Sequence, residues 1–359
     1  VVIEGVAKLS PRREVLGGDL RSEVNVEKNL IDTYDAQVDS ALRPSLLDEF
    51  VGQSELKSQL RVVLQAAESR GEPPDHLLFA GPPGLGKTSL AFIVAEELGR
   101  GIRVTSGPAL GRVGDLAALL SDLKAGDVLF IDEIHRLPRP VEELLYIAME
   151  DFRLDVVIGK GPGARTLRLE IPRFTLVGAT TRSGMVSGPL RDRFGYSYRL
   201  DYYGDEELRK VVLRSAKLMH MQLTQAAADE IASRSRGTPR LANRHLRRVR
   251  DYAEVEGIAK ITDELASDAL ALFGVDKLGL DKVDLEILRV LCERFTGRPV
   301  GLSSIAVSVH EDAGTLEEVY EPFLIQRGLL LRTQRGRLAT ERAYHHLGYP
   351  PPSPEGQNV

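Results

Sequence analysis

An α/β core, then an all-α domain, then a winged-helix domain is the fold class that this 359-residue sequence predicts, on three observations. The first is a glycine-rich turn, Gly81-Pro82-Pro83-Gly84-Leu85-Gly86-Lys87-Thr88, set between the apolar run His76–Ala80 and a helix-like stretch from Ser89. The second is a change of period. Short apolar runs alternate with amphipathic stretches to about residue 204, and from Glu206 to about Leu272 the spacing is helical throughout. The third is a set of three helical segments from Asp281 onward, closed by two β-like arms around a basic turn.

Residues 1–40 lack sustained periodicity and are expected to form a leader. Ordered sequence begins near Ala41, and Gln53 opens a helix to about Ser69 with Leu56, Leu60, Val63, Leu64 and Ala67 on one face. The strand, glycine-rich turn and helix N-terminus that follow make an anion cradle. Successive N–H groups point inward and the helix dipole adds positive charge at the same place. The spacing G-x-x-x-x-G-K-[ST] is the P-loop signature. Gly81, Gly84, Leu85, Gly86 and Ser89 shape the cradle, Lys87 reaches the β- and γ-phosphates, and Thr88 offers its hydroxyl to Mg²⁺. A nucleoside triphosphate is the expected ligand.

A second strand is expected at Arg103–Thr105 and an amphipathic helix over Gly114–Leu123. Asp127-Val128-Leu129-Phe130-Ile131-Asp132-Glu133 then reads as a doubly covered strand with carboxylates at its carboxyl end, where open α/β sheets bind ligands. Asp132 is placed to hold Mg²⁺, and Glu133 to polarise an attacking water. After a helix over Val141–Met149, Arg153–Gly159 and Arg165–Ile171 alternate on either side of a Lys160–Ala164 tip, which predicts an inserted β-hairpin, an interaction device. Phe174–Arg182 is the next buried strand, Pro189–Gly195 a short helix ended by glycine, and Tyr198–Tyr203 the last strand.

Within the helical domain, Gly237-Thr238-Pro239-Arg240 is a cap-and-start signal. The basic run Arg244, Arg247, Arg248, Arg250 behind it fits a solvated face as well as a binding one. Helices over Val283–Phe295, Leu302–Val309 and Thr315–Gln326 precede arms that flank Arg332, Arg335 and Arg337, the winged-helix arrangement, with arginines suited to phosphate contact. The end, residues 349–359, is proline-rich.

A net charge of −5 argues against a protein that coats polyanions over its whole surface, while leaving room for a local basic face. Cys292, the one cysteine, cannot form an internal disulfide and sits in an apolar-periodic helix, so a reducing compartment and a packing role are expected. No apolar run approaches a membrane span and the first twenty residues lack a signal-peptide core, which together point to the cytoplasm.

The order of P-loop, Asp-Glu strand end, Gly-Ala-Thr-Thr strand, Arg-Phe helix and helical domain with Gly-Thr-Pro-Arg resembles the AAA+ ATPases. With the inserted hairpin and the winged helix, residues 41–348 are similar to the RuvB family, bacterial motors that migrate Holliday junctions. The strings Asp127–Leu137 and Pro189-Leu190-Arg191-Asp192-Arg193-Phe194-Gly195 are more specific than the generic motifs. The resemblance implies an α/β P-loop AAA+ ATPase core over 41–204 with the hairpin 153–171 inserted, an all-α lid over 205–274 and a winged helix over 275–348. It implies a Mg-dependent ATPase that works in recombination, repair and the SOS response, as a homo-hexameric ring on duplex DNA at four-way junctions. A RuvA-like protein would bind the hairpin, and a RuvC-like resolvase is a further implied partner.

Residue by residue, the resemblance makes Thr181 the sensor 1 hydroxyl, Arg193 an arginine finger for the neighbouring subunit's ATP, and Arg240 the sensor 2 lid arginine. It sets Leu42, Arg43 and Tyr203 around adenine and ribose, and Arg332 and Arg337 on DNA. Gln334 and Arg298 depart from the family pattern, which usually carries proline and glycine there. A clamp-loader-like switch is the main alternative, and it would carry a helical collar in place of the basic wing. A DExH-type helicase fits Asp132-Glu133-Ile134-His135 but needs a second strand-helix lobe, and a non-hydrolysing regulator has no use for Glu133 and Arg193.

Overall fold

The computed structural model describes residues 41–158 and 165–352. The expected leader 1–40, the hairpin tip Lys160–Ala164 and the last seven residues of the tail lie outside the described residues. The chain divides into two units, Val1–Arg43 and Pro44–Val359, and every element below belongs to the second.

Helix α1 (Ser54–Arg70) buries the five apolar residues expected of it and stops at Gly71, whose left-handed backbone returns its N–H to Ala67 and Glu68. Strand β1 (Leu77–Ala80), helix α2 (Lys87–Glu97), β2 (Ile102–Ser106), α3 (Val113–Ser121), β3 (Val128–Asp132) and α4 (Arg139–Asp151) follow. The hairpin is β4 (Arg153–Ile158) and β5 (Arg165–Glu170), antiparallel from Arg153↔Glu170 to Ile158↔Arg165. Then come β6 (Thr175–Thr180), α5 (Gly188–Arg191) and β7 (Tyr196–Arg199). The five-stranded sheet runs β2-β3-β6-β1-β7, parallel throughout.

Because side chains alternate along a strand, the sheet feeds two cores. Leu77, Phe79, Val128, Phe130, Val177 and Ala179 pack with α1 and α2 on one face. Leu78, Leu129, Ile131 and Leu176 pack with α3 and α4 on the other. This double cover explains why these strands read as continuous apolar runs.

Two expectations before residue 204 need correction. Helix α5 is a single turn that ends at Arg191, four residues before Gly195, because Asp192 and Arg193 turn the chain toward β7. Strand β7 ends at Arg199, so Tyr202 and Tyr203 lie outside it. Tyr203 instead gives its N–H to the Gly237 carbonyl, which ties the sheet edge to the next domain.

That domain holds α6 (Asp205–Leu218), β8 (Gln222–Leu223), α7 (Gln225–Ser233), α8 (Pro239–Val255), β9 (Lys260–Ile261) and α9 (Asp263–Leu272). It is helical except that β8 and β9 form a two-residue parallel pair. Its core, including Leu208, Val212, Ile231, Leu246 and Leu270, is continuous with the first face of the sheet. Thr238 stands at the N-cap of α8 but makes no side-chain cap bond, giving its hydroxyl to the Ser235 carbonyl instead. The basic run on α8 is divided: Arg247 is buried, whereas Arg250 pairs with Asp251 and Glu254 and Arg248 lies over the Phe273 ring.

His245 on α8 is also buried, and burial pulls its imidazole down from 6.5 to about 3, with the nearby arginines acting in the same direction. Below pH 6.5 the unfolded chain takes up a proton that the folded chain refuses, so stability is lost as pH falls toward 3. The slope approaches about 1.4 kcal/mol per pH unit from this group. Unfolding midpoints of His245→Gln measured from pH 7 to pH 5 should fall less steeply than those of the unaltered chain, and equal slopes would contradict this.

The C-terminal domain contains α10 (Lys282–Arg289), continued as a π-helical turn over Val290–Arg294, then α11 (Leu302–Val309) and α12 (Ala313–Thr315). A second π-helical turn, Leu316–Tyr320, joins α12 to α13 (Glu321–Gln326). The wing is β10 (Leu330–Thr333) against β11 (Gly336–Ala339), and Val300 pairs with Arg337 on its other edge. A final helix, α14 (Glu341–Leu347), capped by Thr340, was not expected from the sequence. This domain has its own core, in which Cys292 is buried as expected.

Candidate active site

The strand order sets the carboxyl ends of β1, β6 and β3 side by side, and each delivers one chemical motif to the same edge. The turn after β1 needs its glycines. Gly86 holds φ 101°, and a Cβ there would lie 2.9 Å from the Phe50 ring. Gly84 holds φ 81° with the Arg240 Cβ 3.1 Å from where its own Cβ would be. Lys87 is almost fully buried, and its ammonium donates to the carbonyls of Gly81 and Pro82 at 2.8 and 2.9 Å. Burial pulls this ammonium below its ordinary value and Arg240 adds to that, while the carboxylates of Asp132 and Glu133 oppose it. Thr88 and Ser89 occupy the first turn of α2, and Leu85 is fully buried.

Asp132 ends β3, and burial pushes its carboxyl above the usual range, Glu133 reinforcing and Lys87 opposing. Glu133 leaves the strand at φ 48°, a left-handed conformation that turns its side chain out of the pleat. There the Thr181 hydroxyl donates to the Glu133 Oε2 at 3.0 Å, and the His135 Nδ1 lies 3.2 Å from the same oxygen. His135 also meets the Thr180 hydroxyl at 2.9 Å, and burial keeps its imidazole below its ordinary value. Thr181, expected to read a phosphate, thus engages Glu133.

Arg240 is exposed at the start of α8, its N–H on the Gly84 carbonyl at 3.3 Å. The Tyr203 hydroxyl donates to the Leu85 carbonyl at 3.3 Å, and burial raises it. Leu42 and Arg43 lie in the other unit.

Arg193 does not join this cluster. It donates to the Pro189 carbonyl at 2.7 Å and pairs with Glu150 at 3.1 Å, its guanidinium 4.6 Å from the Tyr146 ring centroid. Tyr146 is in turn held by Glu142 and Ser187. Sequence reading missed this support. Glu142, Tyr146 and Glu150 are spaced by four on α4, but their partners lie about forty residues on, so helical spacing alone gave no reason to single them out.

On the wing, Arg332 is exposed and pairs with Glu317 at 3.0 Å, and Arg335 is exposed in the turn. Arg337 departs from expectation. Its guanidinium turns inward and forks onto the buried Glu321 at 2.8 and 2.9 Å, because pairing of β11 with Val300 aims that side chain at α13. In a titration of duplex DNA, Arg332→Ala should lower the slope of log affinity against log salt by about 0.9. Arg337→Ala should leave that slope alone and lower the unfolding midpoint. The reverse pattern would restore Arg337 to the interface.

Three family models tile the chain. The Holliday junction DNA helicase RuvB P-loop domain matches residues 42–200, the RuvB AAA lid domain 203–276 and the RuvB C-terminal winged helix domain 277–348. The chain belongs to the RuvB family. Among its RuvB relatives, the "Holliday junction branch migration complex subunit RuvB" of Corynebacterium glutamicum is 57% identical over 346 residues, 96% of this chain and 94% of the relative. That of Parafrankia sp. is 59% identical over 88% of this chain and 89% of its own length. A solved Thermotoga maritima RuvB, described as a Holliday junction branch migration motor, superposes with a TM-score of 0.79 at 51% identity. It covers 87% of this chain and 100% of that one. As a RuvB-family AAA+ ATPase, the chain carries a P-loop core, an AAA lid and a winged helix.

Among the described residues no helix is long and apolar enough to cross a membrane. Nor do any three His, Cys, Asp or Glu residues gather as a metal cage. A P-loop Mg²⁺ takes one or two protein ligands and completes its shell with phosphate and water, so Thr88 and Asp132 fit it without a cage.

Proposed function

We infer that this chain is the ATP-driven motor of Holliday junction branch migration, working as a hexameric ring on duplex DNA. The observation that carries this reading is the split site. Lys87, Asp132, Glu133 and Thr181 converge at one sheet edge, while Arg193 pairs with Glu150 and lies against the Tyr146 ring on α4. Phosphoryl transfer is accelerated chiefly by positioning and charge stabilisation. A site that lacks its arginine until a neighbour supplies one ties hydrolysis to assembly.

In this mechanism the P-loop amides and Lys87 hold the β- and γ-phosphates, and Thr88 and Asp132 would hold Mg²⁺, which would supply neutralisation of phosphate charge. Glu133 accepts the proton of the attacking water, with Thr181 and His135 orienting its carboxylate. Arg193 of the adjacent subunit meets the charge that develops on the transferred group. Arg240 contacts nucleotide from the lid, with Tyr203 beside the base and ribose. The wing, led by Arg332 and Arg335, lies along the DNA backbone, and the hairpin 153–171 receives a RuvA-like partner. The boundaries 41–204, 205–274 and 275–348, the cytoplasm as location, the role in the SOS response and a RuvC-like resolvase belong to the same reading.

The clamp-loader alternative is less favoured, since a winged helix stands where a collar would. The test is a synthetic four-way junction incubated with the protein, ATP and Mg²⁺, with and without a RuvA-like protein. Branch migration that requires ATP and accelerates with the partner is expected. An intact junction beside active ATP hydrolysis would overturn the motor reading.

A further inference from the structure

Arg236 sits one residue before the Gly237–Arg240 turn, in a left-handed conformation at φ 52°. Its guanidinium reaches out of the lid into the C-terminal domain. Nε donates to the Gly279 carbonyl at 2.9 Å, and one terminal nitrogen pairs with Asp281 at 2.8 Å and Asp284 at 2.5 Å. Its carbon lies 4.8 Å from the Phe323 ring centroid, with Arg327 at 5.4 Å from the same ring. Asp284 is fully buried at the start of α10, where it also accepts the Asp281 N–H. Burial pushes its carboxyl up to about 7 while Arg236 pulls it down, so this charge is tolerated only with its partner in place.

Further contacts bind the same two domains. Arg327 donates to the Ser233 carbonyl at 2.7 Å. Gly279 packs so closely that a Cβ there would lie 2.6 Å from the Arg234 carbonyl oxygen. At the other end of the same short segment, the Arg240 N–H rests on the Gly84 carbonyl of the P-loop and Gly237 accepts the Tyr203 N–H. Five consecutive residues therefore touch the phosphate loop at one end and the winged helix at the other.

We propose that Arg236, clasped by Asp281, Asp284 and the Phe323 ring, locks the winged helix to the lid so that both turn as one body when the Gly237–Arg240 turn shifts on the P-loop. Arg236 and Asp284 are positioning residues in this scheme, since neither touches nucleotide or DNA. Separating a buried pair strands an uncompensated charge, which favours a single joint geometry over a loose tether. The step from nucleotide state to DNA movement rests on the motor reading, whereas the rigid joint does not.

Spin labels at Val255→Cys on the lid and Val307→Cys on the winged helix test the joint directly, because both positions are highly exposed and the native Cys292 is buried. In the full-length protein, with labelled subunits diluted by unlabelled ones so that only the distance within a subunit is read, that distance should be single, narrow and unchanged by a non-hydrolysable ATP analogue, and should broaden in Asp284→Asn. A distance that shifts with nucleotide, or stays narrow in Asp284→Asn, overturns the proposal. Asp284→Asn should also keep DNA-free ATP hydrolysis within about 2-fold and lose about 10-fold in junctions migrated per ATP. Equal losses in both would make the pair a structural prop of the ATP site and reject the coupling. If Asp284→Asn fails to fold, Arg236→Met with Asp284→Leu removes both charges together and should show the same broadening. Unbroadened distances in that double variant count against the clasp.

Discussion

Arg193→Ala is expected to lower ATP turnover by about 10³–10⁵, the largest effect of any single substitution here, while leaving the folded chain and its nucleotide affinity nearly unchanged. The size follows from the chemistry, because an arginine that meets developing phosphoryl charge acts mainly in the transition state. The small structural effect follows from its contacts. In this chain the half-buried Arg193 holds the Pro189 carbonyl, the exposed Glu150 and the Tyr146 ring. Exposed pairs of this kind contribute about 1 kcal/mol or less. Mixing distinguishes a finger in trans from one in cis. Lys87→Ala subunits retain Arg193 and Arg193→Ala subunits retain the P-loop lysine, so roughly a quarter of the interfaces in an equal mixture are intact. Recovered turnover in the mixture is expected, and none at all would assign the arginine to its own subunit or to no site.

Glu133→Gln is expected to cost about 10²–10⁴ in turnover with nucleotide binding retained, since it removes a proton acceptor and keeps the shape. The amide still accepts from Thr181, whose hydroxyl donates to the carboxylate at 3.0 Å in this chain, so the loop geometry should persist. Thr181→Val is the informative companion. It leaves Glu133 in place but frees it to rotate, and should lower turnover less than Glu133→Gln does. The same rate in Glu133→Gln as in the unaltered protein would remove Glu133 from proton transfer and point to water activated without a base.

Much of this site is legible in the order of residues alone. The P-loop needs glycine where backbone must approach phosphate, and a lysine and a hydroxyl at fixed offsets. Those demands fall on consecutive residues, so Gly81–Thr88 can be read directly. The Asp132-Glu133 pair at the end of an apolar run is legible for the same reason. Helix α1 and the strands are found because burial imposes a period on neighbouring residues. The single turn of α5 and the end of β7 are misjudged because a local pattern does not show where the chain must bend to reach its next contact. Helix α14 goes unseen because, at seven residues with two histidines, its pattern is too short to stand out.

By itself the sequence determined the order of motifs, the chemistry each can perform and the family they belong to, since these depend on residue identity and local spacing. Only the tertiary structure decided which motifs meet. It inserts β6 between β1 and β3, so Thr181 reaches Glu133 across forty-eight residues, and turns Arg337 inward onto Glu321. It holds Arg193 outside the site on α4, and joins Arg236 to Asp284 across the domain boundary. The physical reason is common to all four. Each is a contact between side chains far apart in the chain, set by strand order and by the packing of distant surfaces, and local periodicity carries no record of either.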